Sequence, residues 1–581
     1  MENAEKTGGV LLCAALAFCA ALAAHAPALS GTLLWDDTAF IGSNAFVSDC
    51  SNLRTVLNPV NLIKILPVPM SARPLVNASL LADACSGAGP GGMRLTNLLL
   101  HAFNAALLFA LLFLLSGSAP AALFGAVVFA VHPAAAEAVN IITFRAHLLG
   151  FFFFISGLLC ALFYGRGAGR PAAAASAACY FLALMSAETA LVLPAAALLA
   201  VYFDTGRGGL KRTLPLLGVM AAVALFYLWF RVPRSGYAIA GVSAPGIAGA
   251  SAFYPRVLLP ETSGGRAFAL TLTPWRAVYA DPAANLYTMT RVTLDYLGAL
   301  VLPLRLSPDY SPEVITTLKR GLPPVLGVVG VLVSGIYFFS RKRLSGLGLL
   351  IIFTGLLPAL NIWPIYNLKA DRYLYLPLAG FSLAAAAGLR YVLAGSGRRV
   401  LLVPALAWLA LLGGLTLRRA PEFRDDLALF SAAVRRQPAA PRARVNLSAA
   451  YLRLGDCAGA GREAAAAAGL DAANPQLRLR LAFTLAYCGS KEQALKETLT
   501  ALAAVPGEAD ALYLAGLLKL KTDRAQALAL LRRAAAAAPD RREALLTLYM
   551  AEKKKPAALG PRDRRDLADL KDFYRRAGLL F

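Results

Sequence analysis

Charge is scarce in this chain. Only 15% of its 581 residues are Asp, Glu, Lys or Arg, while 58% are hydrophobic, and mean hydropathy is +0.60. That shortage argues against a soluble protein of this length, because the apolar residues also fall in blocks long enough to cross hydrocarbon, about 20 residues as helix. The eight cysteines form no CxxC pair or other metal-ligand spacing, which excludes the common zinc and dithiol motifs. No RNA- or DNA-binding motif accompanies the net charge of +24, so nucleic acid is not an expected partner. Much of the basic excess sits in short loops between apolar blocks, the positive-inside pattern of a membrane protein. A basic leader is missing too. Glu2 and Glu5 offset Lys6 ahead of the first block, so that block reads as a retained span.

What is present is a series of such blocks. They lie near 10–29, 97–116, 119–132, 147–164, 171–186, 188–203, 214–231, 321–340, 344–361, 374–394 and 400–417. This predicts a mostly α, polytopic helical membrane protein of about eleven spans. A further stretch, 286–303, carries Arg291 and Asp295 and reads as a re-entrant or interfacial helix. The basic loops 165–170, 204–212 and 341–343 fall inside when the N-terminus is cytoplasmic. The first long loop (30–96) and the C-terminal region then fall outside. Cys50 and Cys85 share that loop, and Cys457 and Cys488 lie in neighbouring repeats; either pair forms a disulfide if its compartment is oxidising.

From about residue 420 alanine and charge replace the apolar blocks. Gly455, Gly489 and Thr522 recur at intervals of 34 and 33, and Ala460, Ala494 and Ala527 follow each by five. Prolines end the units at Pro475, Pro506 and Pro539. That is the tetratricopeptide period, which predicts an α-solenoid with a concave face suited to a protein partner. The expected domains are a membrane domain over 1–419 and a repeat domain over 420–581.

The predicted topology gathers polar residues on the outer side. Asp36, Asp37 and Arg73 come from the first loop, and His101 from the start of the second span. His132, Glu137 and Arg145 follow from the next outer loop, Glu188 from the start of the sixth span, and Arg372 and Tyr373 from the start of the tenth. Each has a structural alternative: a helix cap for the acid pair, an interhelical hydrogen bond for His101, interfacial snorkelling for Arg145 and Arg372. Their shared sidedness points to a site. Arginine forks bind phosphate, and a nearby carboxylate accepts a proton from an attacking hydroxyl. A polyprenyl-phosphate sugar would set its lipid among the spans and its phosphate on the arginines.

Several stretches, in order along the chain, resemble the transmembrane and tetratricopeptide-repeat-containing O-mannosyltransferase family of the GT-C glycosyltransferase class. They are LLWDDTAF, SARPLVNASLL, TNLLLHAFNAALL, FAVHPAAAEAVNIITFRAHLLG, SAETALVLP, YLGALVLPLRLSPDY and ADRYLYLPLAGF, followed by the repeats. The resemblance implies transfer of a mannose-like sugar from a polyprenyl-phosphate donor, dolichyl phosphate mannose in eukaryotes, to a protein hydroxyl on the outer or lumenal side. An acid of the first outer loop is the key catalytic group, which carries to Asp36 and Asp37. Arg145, Glu188 and Arg372 match motif positions near the donor phosphate. The chain departs from the pattern at Ala135 and Ala136, where a second histidine is usual, and at Ala187, where a lysine is usual. Arg94 stands where a histidine would align. High Ala, Arg and Gly content suggests a bacterial member, an undecaprenyl-type carrier and an inner-membrane protein with periplasmic repeats. No cofactor is required; a divalent metal on the acid pair is a further possibility. Transfer to a lipid or glycan, or an inactive scaffold that binds proteins through its repeats, are the rival readings.

Overall fold

The computed structural model describes residues 2–42, 44, 46–47, 49–58, 73–231, 275–362, 365, 367–537 and 547. Among these residues every regular element is helical. They form two compact units that divide between Ala428 and Leu429, with residues 44, 275 and 276 grouped in the second.

Six helical stretches in the first unit are long and apolar enough to cross a membrane: Gly8–Ser30, Pro90–Ser116, Ile142–Arg166, Glu188–Trp229, Leu318–Ser340 and Ser396–Phe423. Ala119–Val131 and Pro133–Asn140 make a seventh if the pair, bent by 45°, is one span. The remaining expected spans take other forms. The blocks at 188–203 and 214–231 lie on two helices that meet at a non-helical break at Gly206 (φ 64) within the run Glu188–Trp229. Arg170–Leu184, Leu344–Ala359 and Pro377–Leu393 are apolar helices shorter than a full crossing. The stretch expected to be re-entrant is the helix Pro282–Val301, which Asp281 caps by accepting from Ala283 N. Its charges are paired: Asp295 meets Arg291 at 3.4 Å and Lys369 at 2.8 Å. Pairing is what lowers the cost of charge beside hydrocarbon.

Packing follows the sequence. Pro90–Ser116 lies against Glu2–His25, Ala119–Val131 and Arg145–Arg166, and it buries Asn97, His101 and Asn104 at helical spacing. These amides and this ring therefore face protein, and the opposite side of the helix exposes Leu95, Leu99 and Phe103. An outward apolar face has no water to avoid when lipid covers it.

The second unit is built from helix pairs: Pro441–Arg453 with Cys457–Leu470, Pro475–Tyr487 with Lys491–Ala504, and Ala509–Lys519 with Arg524–Ala537. The recurrent glycines make the turns inside two of these pairs, Gly455 at φ 76 and Gly489 at φ 86, a region a side chain disfavours. The third turn, at Thr522, closes through Asp523 N to Lys519 O at 2.8 Å. The recurrent alanines Ala460, Ala494 and Ala527 have no exposed surface, since a larger residue there would hold the helices apart. Leu479, Phe483, Ala501 and Leu514 belong to a shared core under the second and third pairs. Cys457 and Cys488 form a disulfide across neighbouring units. Pro539 lies outside the described residues.

Candidate active site

Asp36 and Asp37 are adjacent, yet their surroundings differ completely. The chain turns sharply before them. Asp37 N donates to Leu34 O at 2.8 Å, and Trp35 sits at φ 49. This turn sends the Asp37 carboxylate into the protein, where it has no exposed surface. Three backbone N–H groups donate to it: Leu34 at 3.2 Å, Ile142 at 3.1 Å and Thr143 at 2.8 Å. The last two open the short turn Ile142–Phe144, whose first N–H groups have no acceptor within the turn. Burial pushes the Asp37 carboxyl up to about 6, against the pull of those N–H donors. The acid pair therefore does not present two carboxylates to a shared cation.

Asp36 is half-buried and lies within electrostatic reach of the Arg372 guanidinium. Arg372 is braced by Glu137, which accepts from its Nη1 at 2.5 Å and from its backbone N at 2.8 Å. The guanidinium stacks over Phe144 at 4.4 Å and faces Tyr373 at 5.2 Å and Trp35 at 5.9 Å. Its Nε and Nη2 have no partner among the described residues. Losing Glu137 would strand a buried cation, at a cost of about 3–5 kcal/mol.

A second arginine fork stands nearby. Arg73 donates through Nε and Nη2 to Glu188 at 3.2 and 2.9 Å, and about 30% of each side chain is exposed, so a ligand can reach the pair. His147 links the two forks. Its half-buried ring rests against Phe144 and Tyr373 at 6.4 and 6.5 Å, within electrostatic reach of Arg372 and Arg73. It makes no hydrogen bond among the described residues, unlike His101 and His132.

The other expected site residues are engaged by the protein itself. Arg145 has no exposed surface, and its guanidinium is spent on protein: Nε to Asn97 Oδ1 at 2.7 Å, Nη1 to Ser79 Oγ at 2.7 Å, and Nη2 to Asp83 and Met93 O at 2.5 and 2.8 Å. His101 bridges the Tyr375 hydroxyl at 2.8 Å and Ala130 O at 3.1 Å. His132 bridges Leu300 O and Ala134 N at 3.0 and 3.1 Å. Against the expectation of donor contacts, these three side chains tie helices together. Arg94 does similar work, donating to Asn140 O and Thr32 O. Asp371 accepts from Tyr310 at 2.5 Å and Arg419 at 3.1 Å, and burial raises its carboxyl although Arg419 pulls it down.

Asp36, Arg73, His147, Glu188, Arg372 and Tyr373 are thus linked in one cluster, the candidate opening. His147 was missed by the sequence reading. The available signal was its place two residues after Arg145, in a chain with four histidines. A disulfide joins Cys50 to Cys85, the last residue of the helix Pro74–Cys85, which also carries the Ser79 and Asp83 that hold Arg145. Among the described residues no group of three or more His, Cys, Asp or Glu side chains is arranged to hold a metal ion.

No protein-family model matches the chain. It is 30% identical over 164 residues to a curated Caenorhabditis elegans protein, named protein O-mannosyl-transferase F38B6.6. The match covers 27% of this chain and spans 23% of that relative's length, about a quarter of it. The likeness supports a distant relationship to O-mannosyltransferases and a glycosyltransferase-like function.

Proposed function

We propose that the chain is a membrane glycosyltransferase that moves a mannose-like sugar from a polyprenyl-phosphate donor to a hydroxyl of a protein acceptor on the non-cytoplasmic face. One observation carries this reading: two carboxylate-braced arginines, Arg73 and Arg372, both lie within electrostatic reach of His147, an imidazole without a hydrogen-bond partner among the described residues, and Arg372 lies within reach of the half-buried acid Asp36. The arrangement suits an anion flanked by a base.

The chemistry is a single displacement. Arg372 Nε and Nη2, with Arg73, bind the donor phosphate and take up the charge it gains as it leaves. Asp36 accepts the proton of the acceptor hydroxyl while its oxygen bonds to the anomeric carbon. The bond from that carbon to the phosphate oxygen breaks, and the polyprenyl phosphate departs. A positioned base of this kind contributes about 10²–10⁴-fold. Asp37, Arg145, His101 and His132 hold the scaffold that sets these groups, which is a binding contribution of its own. Glu137 and Glu188 aim the two arginines, and Tyr373 walls the opening.

The disulfides Cys50–Cys85 and Cys457–Cys488 support placing both the first loop and the repeats in an oxidising compartment. In this reading the tetratricopeptide repeats present the acceptor protein. The test offers purified protein a panel of mannosyl donors, polyprenyl-phosphate-linked and nucleotide-linked, with hydroxyl-bearing peptides. Transfer from the lipid-linked donor to a peptide serine or threonine is expected. Transfer from nucleotide sugars alone, or to lipid in place of peptide, overturns the reading.

A further inference from the structure

The acid loop is fixed at two points, and Asp36 lies between them. One anchor is the Asp37 carboxylate on Leu34, Ile142 and Thr143. The other is on the preceding residue. Trp35 N donates to Asp426 Oδ1 at 2.7 Å, across 391 positions of sequence. Trp35 is also left-handed, at φ 49, a conformation that a bulky aromatic rarely keeps unless its surroundings impose it.

The stem that supplies Asp426 fits the loop closely. Thr32 N donates to Arg424 O at 2.8 Å. A Cβ on Gly31 would come within 2.6 Å of Phe423 O and 2.9 Å of Arg424 O, so the two backbones touch where only glycine fits. Five residues earlier the same stem is pinned to the rest of the site, with Arg419 donating to Pro133 O at 2.8 Å and to Asp371 at 3.1 Å. The stem therefore contacts three separate pieces of the site: the acid loop, the His132–Pro133 turn and the turn that bears Arg372.

We infer that Asp426 is a positioning residue for transfer: its carboxylate holds Trp35 in the left-handed turn that aims Asp36 at the Arg372 opening. This rests on Asp36 being the base. Asp426 accepts from the loop backbone and acts through Trp35. Removing it leaves the arginines in place, so the donor still binds while Asp36 loses its aim. A displacement of about an ångström at a reacting group costs on the order of 100-fold.

The experiment compares the full-length wild type with Asp426→Ala, Asp426→Asn and Gly31→Ala. Hydrogen exchange is read on the peptide holding Trp35, alongside kcat and KM for the lipid-linked donor. Asp426→Ala should speed exchange at Trp35 and lower kcat about tenfold or more, with donor KM within about threefold of wild type. Asp426→Asn keeps an acceptor oxygen and should restore most of both. Gly31→Ala should reproduce the Asp426→Ala pattern by pushing stem and loop apart. Unchanged exchange at Trp35 in Asp426→Ala overturns the inference, and so does a freed Trp35 with undiminished kcat. Failure of the underlying reading shows elsewhere, as full kcat in Asp36→Asn.

Discussion

Two sets of like residues lie in the first unit and are used in opposite ways. The closed set is Asp37, Arg145, His101 and His132, each buried with its polar atoms bonded to protein. The open set is Asp36, Arg73 and His147, each partly exposed, with Arg372, whose Nε and Nη2 make no hydrogen bond among the described residues. An acid, an arginine and a histidine appear in both. Residue type therefore says little about role here; what decides is whether the surrounding chain supplies enough partners to saturate the side chain.

The comparison can be broken at several points. The largest effect is expected at Arg145. Arg145→Ala leaves the partly buried Asp83 without its cation and Asn97, Ser79 and Met93 O without their donor. Loss of about 3–5 kcal/mol of stability is expected, read as a lowered thermal midpoint in detergent. A stable variant with only a raised donor KM would move Arg145 into the open set.

Next comes a pH test of Asp37. Its folded carboxyl is raised from 3.8 to about 6, so the folded chain holds that proton more tightly than the unfolded chain. Its contribution is fully present below pH 3.8 and is lost as the pH rises to about 6. The shift corresponds to about 3 kcal/mol. The wild-type thermal midpoint should fall across that window, and Asp37→Asn should flatten its share of the slope. Asp371 shifts in the same direction and sets the slope that remains. An unchanged slope in Asp37→Asn would contradict the buried setting.

The smallest effect is expected at Arg73, which is partly exposed and, in the proposed reading, shares the donor phosphate with Arg372. Arg73→Gln should raise donor KM about tenfold, with little change in thermal midpoint. A collapse of stability with no change in KM would place Arg73 in the closed set.

Much of the scaffold was legible because its signals are local. Hydropathy alone located the apolar helices, and the period of Gly455, Gly489, Ala460, Ala494 and Ala527 located turns and contacts between helices in the second unit. Span number was less legible: the blocks on either side of Gly206 do form two helices that meet at a non-helical break, but three other blocks make shorter apolar helices that hydropathy does not distinguish from full-length ones. The division of the polar residues was hidden for a different reason. Arg145 is saturated by Ser79, Asp83, Met93 and Asn97, which reach it from 48 to 66 positions away. Asp37 is turned into the protein by the tight turn from Leu34, in which Trp35 is left-handed, a residue whose type gives no hint of it. Asp426, 391 positions from that turn, carries no motif at all.

The most direct test sets Asp36→Asn beside Asp37→Asn, measuring single-turnover transfer from the lipid-linked donor and the thermal midpoint of each. Asp36→Asn should keep the wild-type midpoint and lose transfer by about 10²–10⁴-fold, while Asp37→Asn should change stability more than the chemical step. Transfer at the wild-type rate in Asp36→Asn, or a chemical step lost in Asp37→Asn with its stability intact, would contradict the account.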